Sequence, residues 1–368
     1  MQKPFNFNNL FIYDLANNHQ GDVEHASNII RAVGKANADA GVRGAFKFQF
    51  RQLDTFIHPD YQNRMDLKFI KRFSETRMEM AQFADLARLI RDQGMYAMCT
   101  PFDEESVDVI CDMGLDIIKV ASCSADDRPL LEKVARVNKP VVVSTAGLRM
   151  EEIDWLVNFL ESERVEFAIM HCVAEYPTDD SKLQLNQIEF LRDRYRTIPV
   201  GWSTHEDPDN TDPVKLACAK GARLFERHVG IKTDKYPLNA YSSTPEQVAK
   251  WLAAYKGAKA MLGAQERTPS SPLERKTLKE LKRGVYARRD LAKGATIKRD
   301  DVFFAMPVED EQLVSGQWRP GMVAPTDIKA KQALPESLSK EALTDEQLVY
   351  QIMLQVRVML NNANIHIN

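Results

Sequence analysis

Eight short apolar segments alternate with longer stretches of helical spacing in the first 262 residues. In residues 80–93, for example, Phe83, Leu86, Ala87 and Ile90 fall on one helical face. Strands that alternate with helices form parallel sheets, and eight such units predict a closed (β/α)8 TIM barrel. An open doubly wound sheet is the alternative, although no glycine-rich nucleotide loop supports it. The predicted strands are residues 10–15, 45–50, 95–100, 116–121, 140–144, 166–172, 198–202 and 223–228.

The pattern changes after residue 262, which predicts a barrel domain over residues 1–262. The next residues, GAQERTPSSP, have the polar, proline-containing composition of a linker, which we extend over 263–281. Residues 282–338 predict a small, turn-rich domain, and residues 339–368 predict a helical tail.

Charge and cysteine usage exclude several classes of protein. A formal net charge of −3 provides no basic stripe for nucleic acid. The apolar runs are too short to span a bilayer, and the first residues lack the apolar core of a signal peptide. Five scattered cysteines without metal-type spacing favour a reduced, cytoplasmic setting.

Two lysines interrupt the predicted apolar strands. Active sites of TIM barrels lie at the carboxyl ends of the strands, where Lys47 and Lys119 alternate with apolar neighbours and would point into the barrel mouth. A buried ammonium needs an anionic partner. With Thr100, Ser122 and Ser144, the lysines predict a pocket for a phosphate and a carboxylate. Taken singly, each residue is as well explained by a surface lysine or a turn hydroxyl.

Two histidines follow adjacent predicted strands. His205 and His228 come at the ends of the seventh and eighth strands, so a closed barrel would bring them together. Two neutral imidazoles and several waters can hold a divalent ion with open positions for Lewis-acid catalysis. The alternative is a pair of core histidines bonded to the backbone.

Eight short motifs occur in register with the eight predicted strands. They are NNHQGD at 17–22, KFQ at 47–49, CTPFD at 99–103, KVAS at 119–122, STAG at 144–147, HCVAEYPT at 171–178, STH at 203–205 and ERH at 226–228. Together they resemble the sialic acid synthase family, which includes spore coat polysaccharide synthases, over residues 11–338. Residues 282–338 resemble the antifreeze-like (SAF) domain of that family.

The resemblance implies a reaction between phosphoenolpyruvate and an aldose sugar. C3 of phosphoenolpyruvate adds to the aldehyde, water attacks C2, and phosphate leaves to give a 2-keto-3-deoxy sugar acid. It also implies a divalent metal, typically Mn²⁺ with Mg²⁺ or Co²⁺ as alternatives, and a homodimer whose antifreeze-like domains cover the partner barrels.

The resemblance also assigns roles to residues of this chain. The implied catalytic residues are Asp14, Gln49, Tyr176, His205 and His228, of which the two histidines hold the metal. The implied ligands of phosphoenolpyruvate are Lys47, Thr100, Lys119, Ser122, Ser144 and Ser203. The implied acceptor side consists of Asn18, Ser124, Ala174 and Asn239.

The departures from the family pattern concentrate on the acceptor side. Ser124 stands where the family usually carries glutamate, Ala174 where it carries asparagine, and Met306 where the antifreeze-like domain offers an arginine. Arg319 is a candidate replacement for that arginine, and Asp14 replaces a glutamate. We therefore expect an aldose other than N-acetylmannosamine.

Two other functions fit the same residues. A Schiff-base aldolase would use Lys119 or Lys47 as its nucleophile. A sugar-binding relative without activity would need neither the aligned histidines nor both lysines.

Overall fold

The computed structural model describes residues 4–340 and 345–362, which form two compact units, Met1–Gln265 and Glu266–Asn368. In the first unit eight parallel strands close into a barrel in sequential order, which confirms the predicted (β/α)8 fold. The strands are β1 (Leu10–Asp14), β2 (Arg43–Phe50), β3 (Tyr96–Pro101), β4 (Ile117–Val120), β5 (Val141–Ser144), β6 (Phe167–Cys172), β7 (Val200–Thr204) and β8 (Leu224–His228).

Helices connect the strands. They are α1 (Val23–Ala40), α2 (Leu53–Phe56), α3 (Lys68–Glu75), α4 (Met80–Asp92), α5 (Glu104–Asp112), α6 (Arg128–Ala135), α7 (Met150–Ser162), α8 (Asn186–Arg194), α9 (Asp212–Ala219) and α10 (Pro245–Leu262). Left-handed glycines end the turns after α4 and α5, with φ of 73° at Gly94 and 65° at Gly114. The connection between β2 and α4 is longer than the others because it contains α2 and α3.

An apolar plug fills the lower part of the barrel. Its members include Leu10, Ile12, Ala45, Met98, Ile117, Val142, Ala168, Met170 and Leu224, all buried. Because side chains alternate along a strand, the residues two positions further along also point inward. Those residues are Asp14, Lys47, Thr100, Lys119, Ser144, Cys172 and Glu226. The plug is thus the floor on which a layer of polar side chains stands.

The observed strand bounds differ from the predicted ones by at most two residues, and β7 is the strand that shifts by two residues at both ends. Strand β7 continues to Thr204, two residues past the predicted end, because Ser203 and Thr204 pair with Glu226 and Arg227 of β8. Helix α5 begins at Glu104 because Asp103 caps it by accepting a hydrogen bond from Ser106 N at 2.7 Å.

The second unit has a small core of its own. The segment predicted as a linker contains α11 (Pro272–Glu280), since the Ser271 side chain caps its first turn and Pro272 suits its first position. Strands β9 (Gly284–Ala287) and β10 (Val302–Ala305) pair antiparallel, and residues such as Val285, Ile297 and Leu313 are buried beside them. Its resemblance to an antifreeze-like domain stays a prediction.

The predicted helical tail corresponds to α12 (Asp345–Asn362), while residues 341–344 and 363–368 lie outside the described residues. None of the helices described here combines the length and the apolar character that crossing a bilayer requires.

We predict that Asp103→Ala lowers the free energy of unfolding of the barrel by about 1–2 kcal/mol. The substitution removes the cap of α5 and also the acceptor for Gln52 N, which lies 2.9 Å from Asp103 Oδ2. Denaturant unfolding followed by circular dichroism measures the change. Asp112→Ala, at the exposed end of the same helix, is the matched control. Equal stability of the two variants would contradict the prediction.

Candidate active site

A cavity of about 460 Å³ opens at the carboxyl ends of the barrel strands. This volume is in the range of small-molecule binding sites. Of the predicted site residues, all except Ser124 line it: Asp14, Asn18, Lys47, Gln49, Thr100, Lys119, Ser122, Ser144, Ala174, Tyr176, Ser203, His205, His228 and Asn239. The structure therefore brings these residues together, and their individual roles remain predictions.

Lys47 is held at the floor of the cavity by two carboxylates. Its Nζ donates to Asp14 Oδ2 at 2.8 Å and to Thr100 Oγ1 at 3.0 Å, and lies 3.5 Å from Glu226 Oε1. Asp14 also accepts from Gln49 Nε2 at 3.1 Å. Asp14 and Glu226 are thus the anionic partners that the buried ammonium of Lys47 needs.

Lys119 shares the second of those carboxylates. Its Nζ donates to Ser144 Oγ at 2.6 Å and lies 3.7 Å from Glu226 Oε2, an oxygen that accepts no hydrogen bond from the described residues. Asp14, Lys47, Lys119 and Glu226 thus form a four-charge cluster in which two cations balance two anions. We refer to it as the buried charge cluster.

Burial and pairing move the pKa values in this cluster. Burial alone would raise the pKa of Asp14, but Lys47 and then His228 outweigh it and lower that pKa to about 2. Burial opposes the charged form of Lys47, yet Asp14 and Glu226 raise its pKa. For Lys119 burial prevails and lowers the pKa. Asp14 is consequently a carboxylate at neutral pH.

His205 and His228 lie side by side, with ring centroids 5.3 Å apart. His205 Nδ1 donates to the Val173 carbonyl at 2.9 Å, which leaves its Nε2 with a free lone pair. His228 Nε2 lies 3.5 Å from Asp14 Oδ2. Burial, with His228 adding to the effect, lowers the pKa of His205 to about 3, and burial also lowers that of His228. Both rings are therefore neutral.

This pair fits a divalent ion through its donor chemistry, because neutral imidazole nitrogens are common metal ligands and hydrogen bonding to a backbone carbonyl orients such a ring. Among the residues that the structure describes, no group of three or more His, Cys, Asp or Glu side chains has a metal-binding arrangement. Two imidazoles would accordingly leave most coordination positions to water or substrate.

Aromatic and amide side chains form the wall beside the histidines. The Tyr176 ring lies 4.2 Å from the His205 ring between centroids, and the Tyr241 ring lies 5.3 Å from that of His228. Asn239 Nδ2 donates to Asn18 Oδ1 at 3.2 Å, so these two predicted acceptor-side residues support each other.

Ser124 does not reach the cavity. It is buried in a 3₁₀ turn, Ser122–Ser124, and Cys123 lines the cavity in its place. In a 3₁₀ turn successive side chains are about a third of a turn apart, so three consecutive residues cannot all point the same way. Ser122 lines the cavity, and its Oγ accepts a hydrogen bond from Ala146 N at 3.0 Å.

Sequence reasoning missed several residues of the site. Glu226 was visible as part of ERH, and its position two residues after Leu224 of the plug was the signal for an inward carboxylate. Arg51, Cys123 and Tyr241 also line the cavity. They lie beyond strand ends, where no periodicity indicates direction.

Comparison with known proteins agrees with this geometry. Residues 30–267 match the NeuB family. The chain belongs to the NeuB family. The predicted resemblance is confirmed, and with it the expectation of a synthase-type enzyme.

Individual NeuB relatives extend this comparison. The crystal structure of a Chromobacterium violaceum protein named for spore coat polysaccharide biosynthesis (protein E) superposes with a TM-score of 0.86 at 47% identity, covering 89% of this chain and 98% of that one. The N,N'-diacetyllegionaminic acid synthase of Legionella pneumophila is 27% identical over 79% of this chain and 83% of its own length. An uncharacterised protein of Methanocaldococcus jannaschii is 30% identical over 79% of this chain and 82% of its own length.

We predict that Glu226→Leu lowers the free energy of unfolding by about 3–5 kcal/mol, because it leaves two buried ammonium groups with one carboxylate. The double variant Glu226→Leu/Lys119→Met restores the balance of charge and recovers much of that loss. Denaturant unfolding measures both values. Glu189→Gln, which removes an exposed partner of Lys220, is the control and changes stability by less than about 1 kcal/mol. A single variant as stable as the double one contradicts the prediction.

Proposed function

We propose that this protein condenses phosphoenolpyruvate with an aldose, forming a 2-keto-3-deoxy sugar acid and releasing inorganic phosphate. The observation that carries the proposal is one cavity in which two lysines and several hydroxyls stand beside two neutral, adjacent imidazoles. Synthase names among NeuB relatives, such as the Legionella enzyme, support the same reaction.

The lysines and hydroxyls would bind phosphoenolpyruvate. Its phosphate and carboxylate both accept hydrogen bonds, and Lys47, Lys119, Thr100, Ser122, Ser144 and Ser203 supply ammonium and hydroxyl donors around one space. Because the buried charge cluster is already neutral, these ammonium groups are fixed in place before the substrate arrives. Pre-positioned donors need little reorganisation during the reaction.

His205 and His228 would hold a divalent cation, for which we propose Mn²⁺, with Mg²⁺ or Co²⁺ as alternatives. When bound, such an ion polarises the aldehyde as a Lewis acid. Tyr176 and Gln49 adjoin this position and would orient the sugar. Asp14, as a carboxylate, can accept a proton from the water that attacks C2 but has none to donate.

A Schiff-base reaction through Lys119 is the second candidate, because burial lowers the pKa of this amine and so favours its nucleophilic form. The two candidates differ in their products. A lysine imine is trapped by borohydride with pyruvate and needs no metal, whereas the condensation releases phosphate from phosphoenolpyruvate.

We expect metal-dependent phosphate release from phosphoenolpyruvate and an aldose to disappear in His205→Ala, because the variant removes one of two imidazole ligands. Phosphate assays with added Mn²⁺, before and after treatment with EDTA, measure the rate. Direct Mn²⁺ titration by electron paramagnetic resonance measures binding without turnover. His58→Ala, at an exposed loop position, is the control. Activity that survives both EDTA and His205→Ala would falsify the metal assignment.

We also propose a homodimer in which the second unit of each chain covers the barrel mouth of the other. The family resemblance supports it, and so does an apolar cavity in that unit lined by Tyr286, Phe303 and Met306. Analytical ultracentrifugation at working concentration should give a dimer mass, and Met306→Asp should shift the equilibrium toward monomer. A fully active wild-type monomer contradicts the proposal.

The five cysteines are free, which fits the cytoplasm as the proposed location.

A further inference from the structure

One face of helix α3 lines the active-site cavity. Lys68, Phe69, Arg72 and Phe73 of this helix are among the residues around the cavity. Positions i and i+4 lie on the same face of a helix, so Lys68 and Arg72 are neighbours there. Arg51, which directly follows β2, lines the same cavity. We call Arg51, Lys68 and Arg72 the cationic rim.

The cationic rim carries all the unbalanced charge of the cavity lining. The charged residues other than histidine around the cavity are Asp14, Lys47, Arg51, Lys68, Arg72, Lys119 and Glu226, which are five cations and two anions with a formal sum of +3. Lys47 and Lys119 are balanced by Asp14 and Glu226. The remaining +3 therefore lies on the rim and not on the floor.

Other cations of the β2–α4 connection have carboxylate partners, and those of the rim do not. Lys71 lies 3.9 Å from Glu75, Arg77 2.9 Å from Asp54, and Arg64 2.6 Å from Asp66. Within residues 4–340 and 345–362, no ion pair involves a member of the cationic rim. Three cations that line one concave space and have no ion-pair partner among the described residues favour the binding of an anion.

Aromatic contacts hold Arg51 in place. Its guanidinium carbon lies 3.4 Å from the ring centroid of Phe102 and 4.0 Å from that of Phe73. The guanidinium between the two rings is partly desolvated, which strengthens its interaction with an anion that reaches it. Phe73 belongs to α3, so this contact links Arg51 to the helix that carries Lys68 and Arg72.

We infer that the acceptor aldose carries an anionic group, a phosphate ester or a carboxylate, at the end remote from its aldehyde, and that the cationic rim binds this group. The inference rests on the proposed condensation and names its acceptor class. The aldehyde belongs at His205 and His228, at the ends of β7 and β8, whereas the rim adjoins the end of β2. Strand β1 lies between β8 and β2. An aldose with its aldehyde at the histidines and its other end at the rim would therefore extend past the end of β1.

The test compares matched neutral and anionic aldoses. The value of kcat/KM is measured with phosphoenolpyruvate and Mn²⁺ for D-mannose, D-mannose 6-phosphate and D-mannuronate, and for N-acetyl-D-mannosamine and its 6-phosphate. We expect an anionic member to exceed its neutral counterpart by about a hundredfold, and the phosphate and carboxylate arms identify which anion fits. Loss of hydrogen bonds to a charged group lowers affinity by about tenfold to a hundredfold.

The variant Lys68→Gln/Arg72→Gln should reduce the ratio of kcat/KM for the anionic aldose to that for the neutral one by tenfold or more. Added salt should reduce the wild-type ratio too, since the rim is partly exposed to solvent. Lys71→Gln, on the same helix but paired with Glu75, is the matched control and should leave the ratio unchanged.

Three outcomes overturn the inference. The first is that neutral aldoses react at least as well as anionic ones. The second is that the double variant leaves the ratio of kcat/KM values unchanged. The third is that the double variant raises the KM for phosphoenolpyruvate as much as it raises the KM for the anionic aldose. If no aldose releases phosphate, the proposed function fails instead. In that case calorimetry measures the binding of D-mannose, D-mannose 6-phosphate and D-mannuronate to the wild type and to the double variant. An anion site predicts that the anionic sugars bind to the wild type and that this binding weakens in the double variant.

Discussion

Two lysines and two carboxylates sit on an apolar plug inside the barrel, and the arrangement of the site depends on their mutual neutralisation. Removing an ion from water costs several kcal/mol, so none of the four charges is stable there alone. The ion pairs join strands that are not all neighbours: Asp14 is on β1, Lys47 on β2, Lys119 on β4 and Glu226 on β8. The interactions that hold the donors in place therefore also tie together opposite parts of the barrel wall, and a change to one charge affects the positions of the others.

The neutral imidazoles are a second consequence of burial in this environment. Burial, together with the neighbouring His228, disfavours a proton on His205 and lowers its pKa to about 3. A metal ion normally competes with protons for its ligands, so binding at ordinary pH releases protons from ligands that are charged. Imidazoles that are already neutral avoid that competition. The same low-dielectric surroundings that make the lysines need carboxylates thus keep the histidines available as ligands.

The period-two alternation of the strands explains how much of the site was predictable. Lys47 and Lys119 interrupt apolar strands, and their inward direction followed from their neighbours. The same rule applies to Glu226, although a glutamate next to an arginine and a histidine has the composition of an exposed segment. Ser124 could not be placed, because a 3₁₀ turn and not a strand sets its direction. Helix α3 has a weak sequence signal because it is only eight residues long and Leu67, the residue before its first turn, provides no side-chain cap.

The placement of α3 outside the barrel sheet has a consequence for how such proteins diversify. The floor that would bind phosphoenolpyruvate consists of strand residues whose charges depend on one another. A substitution at any one of them therefore lowers the free energy of unfolding. The β2–α4 connection contributes no strand to the barrel, and Lys68 and Arg72 on its helix α3 can be exchanged at small cost in stability. With the cationic rim as the proposed acceptor site, selection could change which sugar is accepted by altering this one connection while the barrel stays constant. A library of variants confined to the β2–α4 connection would test the same changes in sugar specificity in the laboratory.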